Sequence, residues 1–189
     1  MIQGGISIGP AARAKDREVV GLDVVAESGV DAESLWATLR RAAAAVTVVT
    51  ARADEGYLGI TVSAFCLVSL DPPLILVCIH ADSQVSDAIA ASGAFAVTVL
   101  GSQQQLLAEM FAGRGPRPDP AFSAIGHRTL ATGAPILDGG LAWLDCRLHQ
   151  AYPGGDHTIF VGMVVAAGVA AGHDDPLLYF GSQYRRLAP

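Results

Sequence analysis

The residues of this 189-residue chain that could do chemistry fall in three short stretches. In Gly155-Asp156-His157-Thr158-Ile159-Phe160-Val161-Gly162, an acid and an imidazole stand at the mouth of an apolar, β-rich run. An imidazole titrates near neutrality, so His157 can handle a proton or balance a developing charge. Asp156 can orient that ring, or it can cap the turn opened by Gly154 and Gly155. A purely structural histidine that secures the turn is the competing reading. In Thr61-Val62-Ser63-Ala64, strand alternation puts Thr61 and Ser63 on one face, and Val62 and Ala64 on the other. Hydroxyls both donate and accept, so such a pair suits the polar edge of a planar ring. A solvated strand face is the plainer alternative. In His80-Ala81-Asp82-Ser83-Gln84-Val85-Ser86, a buried strand hands over to a helix start. The free N–H groups and positive dipole end of such a start suit a phosphate. Ser83 reads either as the helix cap or as a phosphate ligand, and Asp82 beside a phosphate would be repulsive.

Several chemistries are disfavoured. No Gly-x-Gly-x-x-Gly follows a strand, and no Walker-type loop exists, so any nicotinamide binds in some other way than on a Rossmann turn. The five histidines, His80, His127, His149, His157 and His173, are too scattered for metal-ligand spacing, so no metal is expected. A Gly-x-Ser-x-Gly elbow is also missing.

The elements that must position these stretches follow from periodicity and turn residues. Residues 1–30 lack a steady period and read as a mobile arm, with one domain over 31–189. Asp31 should cap a helix that runs past Leu39 to about Ala43, with Leu35, Trp36 and Leu39 on one face. Val46–Thr50 and Tyr57–Ser63 read as a hairpin about the Asp54-Glu55-Gly56 turn. Phe65–Leu70 is a further strand, broken by Asp71-Pro72-Pro73. The unbroken apolar run Leu74–Ile79 predicts a strand buried on both faces. Helices are expected over Ser83–Ser92, stopped by Gly93, and over Gln103–Phe111. Gly113–Pro120 must be a loop. Strands are expected over Phe95–Leu100, Leu141–His149, His157–Val169 and Leu177–Phe180. Many short strands with a few short helices favour a small barrel over a βαβ sheet.

The composition suits a packed core: 51% hydrophobic and 16% charged residues. A mean hydropathy of +0.41 is high for a soluble monomer, which points to a homodimer covering the surplus apolar surface. The net charge of −6, with no Lys/Arg run, argues against nucleic-acid binding. The chain start lacks the features of a secretory signal. No apolar run reaches the ~18 residues a membrane span needs, so no membrane association is expected. Cys66, Cys78 and Cys146 form no Cys-x-x-Cys and lie in apolar strands, so buried, inert thiols in a reducing cytoplasm are expected.

Taken in order, several pieces resemble the flavin reductase-like family. They are Gly59-Ile60-Thr61-Val62-Ser63-Ala64-Phe65, Ser69-Leu70-Asp71-Pro72-Pro73-Leu74 and the Gly155–Gly162 string. Lesser matches are Ser92-Gly93-Ala94-Phe95-Ala96-Val97, Gln105-Leu106-Leu107-Ala108, Trp143-Leu144-Asp145-Cys146 and Pro176-Leu177-Leu178-Tyr179-Phe180, so the likeness covers roughly residues 38–187. The resemblance implies a mainly β (α+β) split β-barrel with short flanking helices. It also implies an NAD(P)H:flavin oxidoreductase that passes hydride from NADH or NADPH to FMN or FAD and supplies reduced flavin to a partner monooxygenase. It places Thr61, Val62, Ser63 and Ala64 against the flavin ring and ribityl chain, and Ser83 at the flavin phosphate. Asp156 and His157 would stand where nicotinamide docks, with His157 the catalytic residue; Cys78, Phe111 and Tyr184 complete the implied cofactor site. Asp82 and Val85 depart from the pattern, since relatives often carry hydroxyls there. Two rivals remain: an FMN-dependent oxidase of the pyridoxamine-phosphate-oxidase type, and a non-enzymatic flavin-binding electron carrier. The first needs grouped basic residues, and only Arg185-Arg186 offers any.

Overall fold

The structure is a computed structural model that describes residues 29–115, 122–172 and 174–187. The expected arm therefore lies outside the described residues apart from its last two, as does the stretch 116–120 of the Gly113–Pro120 loop. The chain divides into two compact units, Met1–Ala37 and Thr38–Pro189.

The described part of the first unit is the start of helix α1, Ala32–Leu39. Asp31 caps it as its sequence position predicts. The Ser34 N–H donates to Asp31 Oδ1 at 2.9 Å, and the Ser34 hydroxyl donates to Oδ2 at 2.8 Å. Those bonds stabilise the charged form and hold the Asp31 carboxyl below its ordinary range. The helix ends at Leu39, short of the expected Ala43. Arg41 and Ala42 already donate to the carbonyls three residues back, which tightens the chain out of the α-helix.

The second unit is built on strands: β1 Ala44–Ala45, β2 Thr47–Ala53, β3 Gly56–Val62, β4 Phe65–Leu70, β5 Pro73–His80, β6 Ala94–Val99, β7 His127–Thr129, β8 Pro135–Leu137, β9 Ala142–Gly154, β10 His157–Val169, β11 Leu178–Phe180 and β12 Gln183–Arg185. Helices α2, Gln84–Ser92, and α3, Gln105–Phe111, flank them. One seven-stranded antiparallel sheet runs β3-β2-β6-β9-β10-β5-β4; β1-β11-β12 and β7-β8 form smaller sheets. Strands β3 and β4 are the two edges of the large sheet, yet only Ser63 and Ala64 join them. The three Cα–Cα steps from Val62 to Phe65 span at most about 11 Å. The sheet must therefore curl until its edges meet; the Cys78 N–H of β5 donates to the Ala64 carbonyl at 3.1 Å and so continues the β4–β5 pairing, in which Phe65 lies opposite Val77, back to the bend. This is the mainly β barrel, split at one seam, that the pattern predicts. Register shifts between Val161 and Gly162 and between Val164 and Ala166 bend the long β9–β10 pair. Gly162 is needed at the bend, because a Cβ there would run into the Phe95 ring.

The barrel interior holds Val49, Val77, Ile79, Phe95, Val97 and Phe160, all fully or almost fully buried. A second cluster lies under α3 and contains Val48, Leu100, Ala108, Phe111 and Leu177. The run Leu74–Ile79 does not behave as a strand buried on both faces. Ile75, Val77 and Ile79 are buried, whereas Leu74, Leu76 and Cys78 are half-buried on the outer face. The thiols also separate. Cys146 is buried, and burial with the neighbouring Asp145 charge pushes it up to about 12. Cys78 is raised by partial burial. Cys66 is exposed, contrary to expectation, because β4 is an edge strand.

Candidate functional site

Strand pairing brings the three chemistry-bearing stretches to one place, the C-terminal end of β5. On one flank of β5, the Ser63-Ala64 bend lies beside Cys78 through the Cys78 N–H to Ala64 carbonyl bond at the end of the β4–β5 pairing. On the other flank, β10 starts with His157 paired directly opposite His80, and Ile159 opposite Cys78. Beyond the strand, the loop Ala81-Asp82 leads to Ser83 and α2, and the Ala81 N–H donates to the Asp156 carbonyl at 2.9 Å. The β3–β4 bend, the β5–α2 loop and the β9–β10 turn thus form a single rim.

Each segment is locally determined. Gly155 adopts φ 76°, a left-handed conformation that suits glycine, and so turns the chain tightly ahead of Asp156. An ionised carboxylate only accepts, so His157 donates its Nδ1–H to Asp156 Oδ1, at 2.7 Å. That bond, followed by the attraction of the imidazole charge, holds the fully exposed Asp156 carboxyl below the usual carboxylate range. Nε2 is then the nitrogen of His157 left to face a ligand. Ser83 caps α2 by accepting the Val85 N–H at 3.2 Å, which leaves its O–H to donate. Both sequence readings of Ser83 are therefore compatible. Gly93 ends α2 in the left-handed conformation, as expected.

The other expected site residues are placed differently. β3 ends at Val62, so Ser63 stands in an exposed bend and does not continue the alternation with Thr61. Val62 is buried in the barrel core. Thr61 donates its hydroxyl to the Ala108 carbonyl of α3 at 2.7 Å, which ties β3 to the helix. Phe111 is buried under α3 against Gly59, where an added Cβ would come within 2.6 Å of the ring. Tyr184 packs edge-on against Tyr179 at 5.4 Å beside that cluster, and partial burial raises its hydroxyl. The rim therefore gathers Ser63, Ala64, Cys78, Ser83, Asp156 and His157, while Thr61, Phe111 and Tyr184 belong to the α3 flank. The sequence places His80 in the stretch that joins strand to helix but gives it no role of its own; only the β5–β10 register puts it against His157.

The donor set fits a planar heteroaromatic ring that carries an acidic tail. Ser63 offers a hydroxyl, Cys78 and Ile159 offer half-buried apolar surface, and Ser83 with the start of α2 offers O–H and N–H donors. The rim segments Ser63-Ala64, His80–Ser83 and Gly155–His157 contain no Lys or Arg, so an acidic group there would be held by neutral donors. Among the described residues, no group of three or more His, Cys, Asp or Glu could hold a metal. An open cavity of about 900 Å³ lies elsewhere, between α2 and the β2–β3 tip, lined by Arg52, Asp54, Gln84, Asp87 and Thr132.

Comparison with known proteins shows the family. Residues 39–188 match the family described as the flavin reductase like domain. The reductase component of 4-hydroxyphenylacetate 3-monooxygenase from Thermus thermophilus is 40% identical over 155 residues, 82% of this chain and 96% of that protein. The NADH-dependent FMN reductase RutF of Agrobacterium fabrum is 35% identical over 149 residues, 79% of this chain and 84% of that protein. Among solved structures, BorF, the flavin reductase component of a bacterial two-component tryptophan halogenase, superposes with a TM-score of 0.76 at 40% identity, covering 84% of this chain and 99% of that one. The split barrel and these likenesses together make the chain a member of the flavin reductase-like family.

Proposed function

We propose that the rim at the end of β5 is where this protein brings nicotinamide and flavin together. The protein is an NAD(P)H:flavin oxidoreductase that uses NADH or NADPH and FMN or FAD and supplies reduced flavin to a partner monooxygenase. The observation that carries the site assignment is the convergence of Ser63-Ala64, His80–Ser83 and Asp156-His157 on one exposed edge of the sheet. When bound, flavin supplies the ring that accepts hydride from nicotinamide; the protein supplies orientation and electrostatics. Cys78 and Ile159 give a ring an apolar floor and keep water from beneath it. The Ser63 hydroxyl and nearby backbone amides meet its polar edge. The Ser83 O–H and the start of α2 hold the phosphate. His157, steadied by Asp156, orients the nicotinamide or balances negative charge at the ring edge.

The protein acts as a homodimer in this reading, and a second copy covers the outer face of β4, β5 and β10. On that face, Leu74 and Leu76 of β5 lie opposite Met163 and Val161 of β10, next to the Cys78 and Ile159 pair at the site. Cys66, opposite Leu76, and Ser69, opposite Leu74, extend the face onto β4. The same face ends in His80 and His157, so the dimer interface adjoins the site. A cytoplasmic location fits the three free thiols. No helix among the described residues is long and apolar enough to cross a membrane.

The decisive experiment is steady-state oxidation of NADH and NADPH with added FMN, FAD and riboflavin in turn. Turnover that depends on free flavin is expected. Its absence with every flavin overturns the reductase reading and leaves the electron carrier. Light scattering at micromolar concentration should give twice the chain mass, and a monomer there removes the dimer.

A further inference from the structure

We infer that His80 is a positioning residue for His157: the two rings form a packed pair that fixes how His157 presents its free nitrogen. The inference rests on the role proposed above for His157. The two residues are direct cross-strand partners, and their rings meet edge to face with centroids 5.5 Å apart and planes at 64°. Each ring is anchored on its own side. The Asp82 N–H donates to His80 Nδ1 at 3.3 Å, so His80 carries its proton on Nε2. His157 has the opposite arrangement, its Nδ1–H being given to Asp156. The Ala81 N–H to Asp156 carbonyl bond then ties the two anchoring turns together.

The pairing supplies what the Asp156 bond lacks. The Asp156 side chain is 79% exposed, so its carboxylate can swing and carry the His157 ring with it. A second ring packed at this steep angle against the imidazole limits that swing. His80 is itself exposed and contributes nothing to the core, so its ring has no packing duty there.

The test uses the full chain and four variants: His80→Ala, His80→Phe, His157→Ala, and the double variant with alanine at both positions. Two readouts are taken, kcat and KM for NADH at saturating FMN, and the imidazole tautomer of His157 from long-range ¹H–¹⁵N NMR. His80→Ala should lower kcat/KM by about 2- to 10-fold, the range of one aromatic pair. It should also blur the Nδ1–H signature of His157. His80→Phe keeps the ring edge and should restore both. The double variant should match His157→Ala alone, because His80 acts through its neighbour. The inference is overturned if His80→Ala changes neither readout, or if the two kinetic losses multiply in the double variant. Unchanged kinetics in His157→Ala would remove the role of His157, while the tautomer signal would still report whether His80 sets its ring.

Discussion

The α3 flank and the rim at the end of β5 carry the same kinds of residue and use them in opposite ways. On the α3 flank the polar and aromatic groups are satisfied from within. Thr61 gives its proton to Ala108, and Tyr57, Phe111, Phe122 and His127 interlock at centroid distances of 5.2–5.6 Å. At the rim the bonds are local and leave one valence facing out: the Ser83 O–H, His157 Nε2 and the exposed Ser63. The difference shows that residue type does not make a site. A hydroxyl or ring serves a ligand only where the fold leaves a donor or acceptor unspent. Substitutions on the two sides should therefore fail in different ways.

The largest effect should come from the buried side. Phe111→Ala removes a core ring and should cost about 3–5 kcal/mol of folding stability. Chemical denaturation measures this directly, and flavin-dependent NADH turnover per folded molecule should stay near normal. A specific loss of flavin affinity at unchanged stability would move Phe111 from the α3 flank to the site.

His157→Ala is the converse and the next largest. Lost orientation and charge balance should lower kcat/KM for NADH ~10- to 100-fold, since each 1.36 kcal/mol of barrier is about tenfold. The melting temperature should barely change, because the ring is 43% exposed. Normal kinetics with a lowered melting temperature would make His157 the lock of its turn and nothing more.

The two regions also differ in how far the sequence reveals them. β2 to β6, α2 and β10 were legible because apolar alternation, the Ser83 cap and the Gly93 stop are local signals. Strands β7, β8 and β12 have three residues each, too few for alternation to register. The Asp156-His157 pair could be read from its turn. The partners of Thr61 and His80 could not. Ala108 lies 47 residues from Thr61, and the His80–His157 pairing depends on the β5–β10 register. Leu74–Ile79 misled for the same reason: its composition suits two buried faces, but in the single chain one face is left half open.

A finer comparison sets Thr61 against Ser63, two hydroxyls that lie two positions apart on opposite sides of the division. Each loses at most one neutral hydrogen bond on substitution, worth about 0.5–1.5 kcal/mol. Thr61→Val should lower stability by that amount and leave flavin affinity nearly unchanged, because its proton is already given to α3. Ser63→Ala should leave stability unchanged and weaken flavin binding by up to ~10-fold. Isothermal titration with FMN, run beside thermal melts, reads both. Equal flavin losses in the two variants would erase the distinction between rim and flank at this point of the sheet.

The smallest expected effect concerns Asp156, and it probes the rim through pH. Its carboxyl lies below the ordinary 3.8 in the folded chain, first because His157 donates to it and then because of the imidazole charge. A depressed folded value means the contribution to stability is present above the unfolded pKa and is lost as pH falls through the folded one. The carboxylate is fully exposed, so solvent screens the bond and the contribution is small. Asp156→Asn should accordingly melt slightly below the parent chain at pH 6, with the two curves converging as pH drops below about 4. On the α3 flank the sign has no counterpart: Thr61→Val removes a neutral bond, and its melting deficit should stay constant across the same range. No deficit in Asp156→Asn at any pH would mean that Asp156 acts only through its backbone carbonyl to Ala81, which asparagine keeps, and that the bond to His157 contributes nothing to folding.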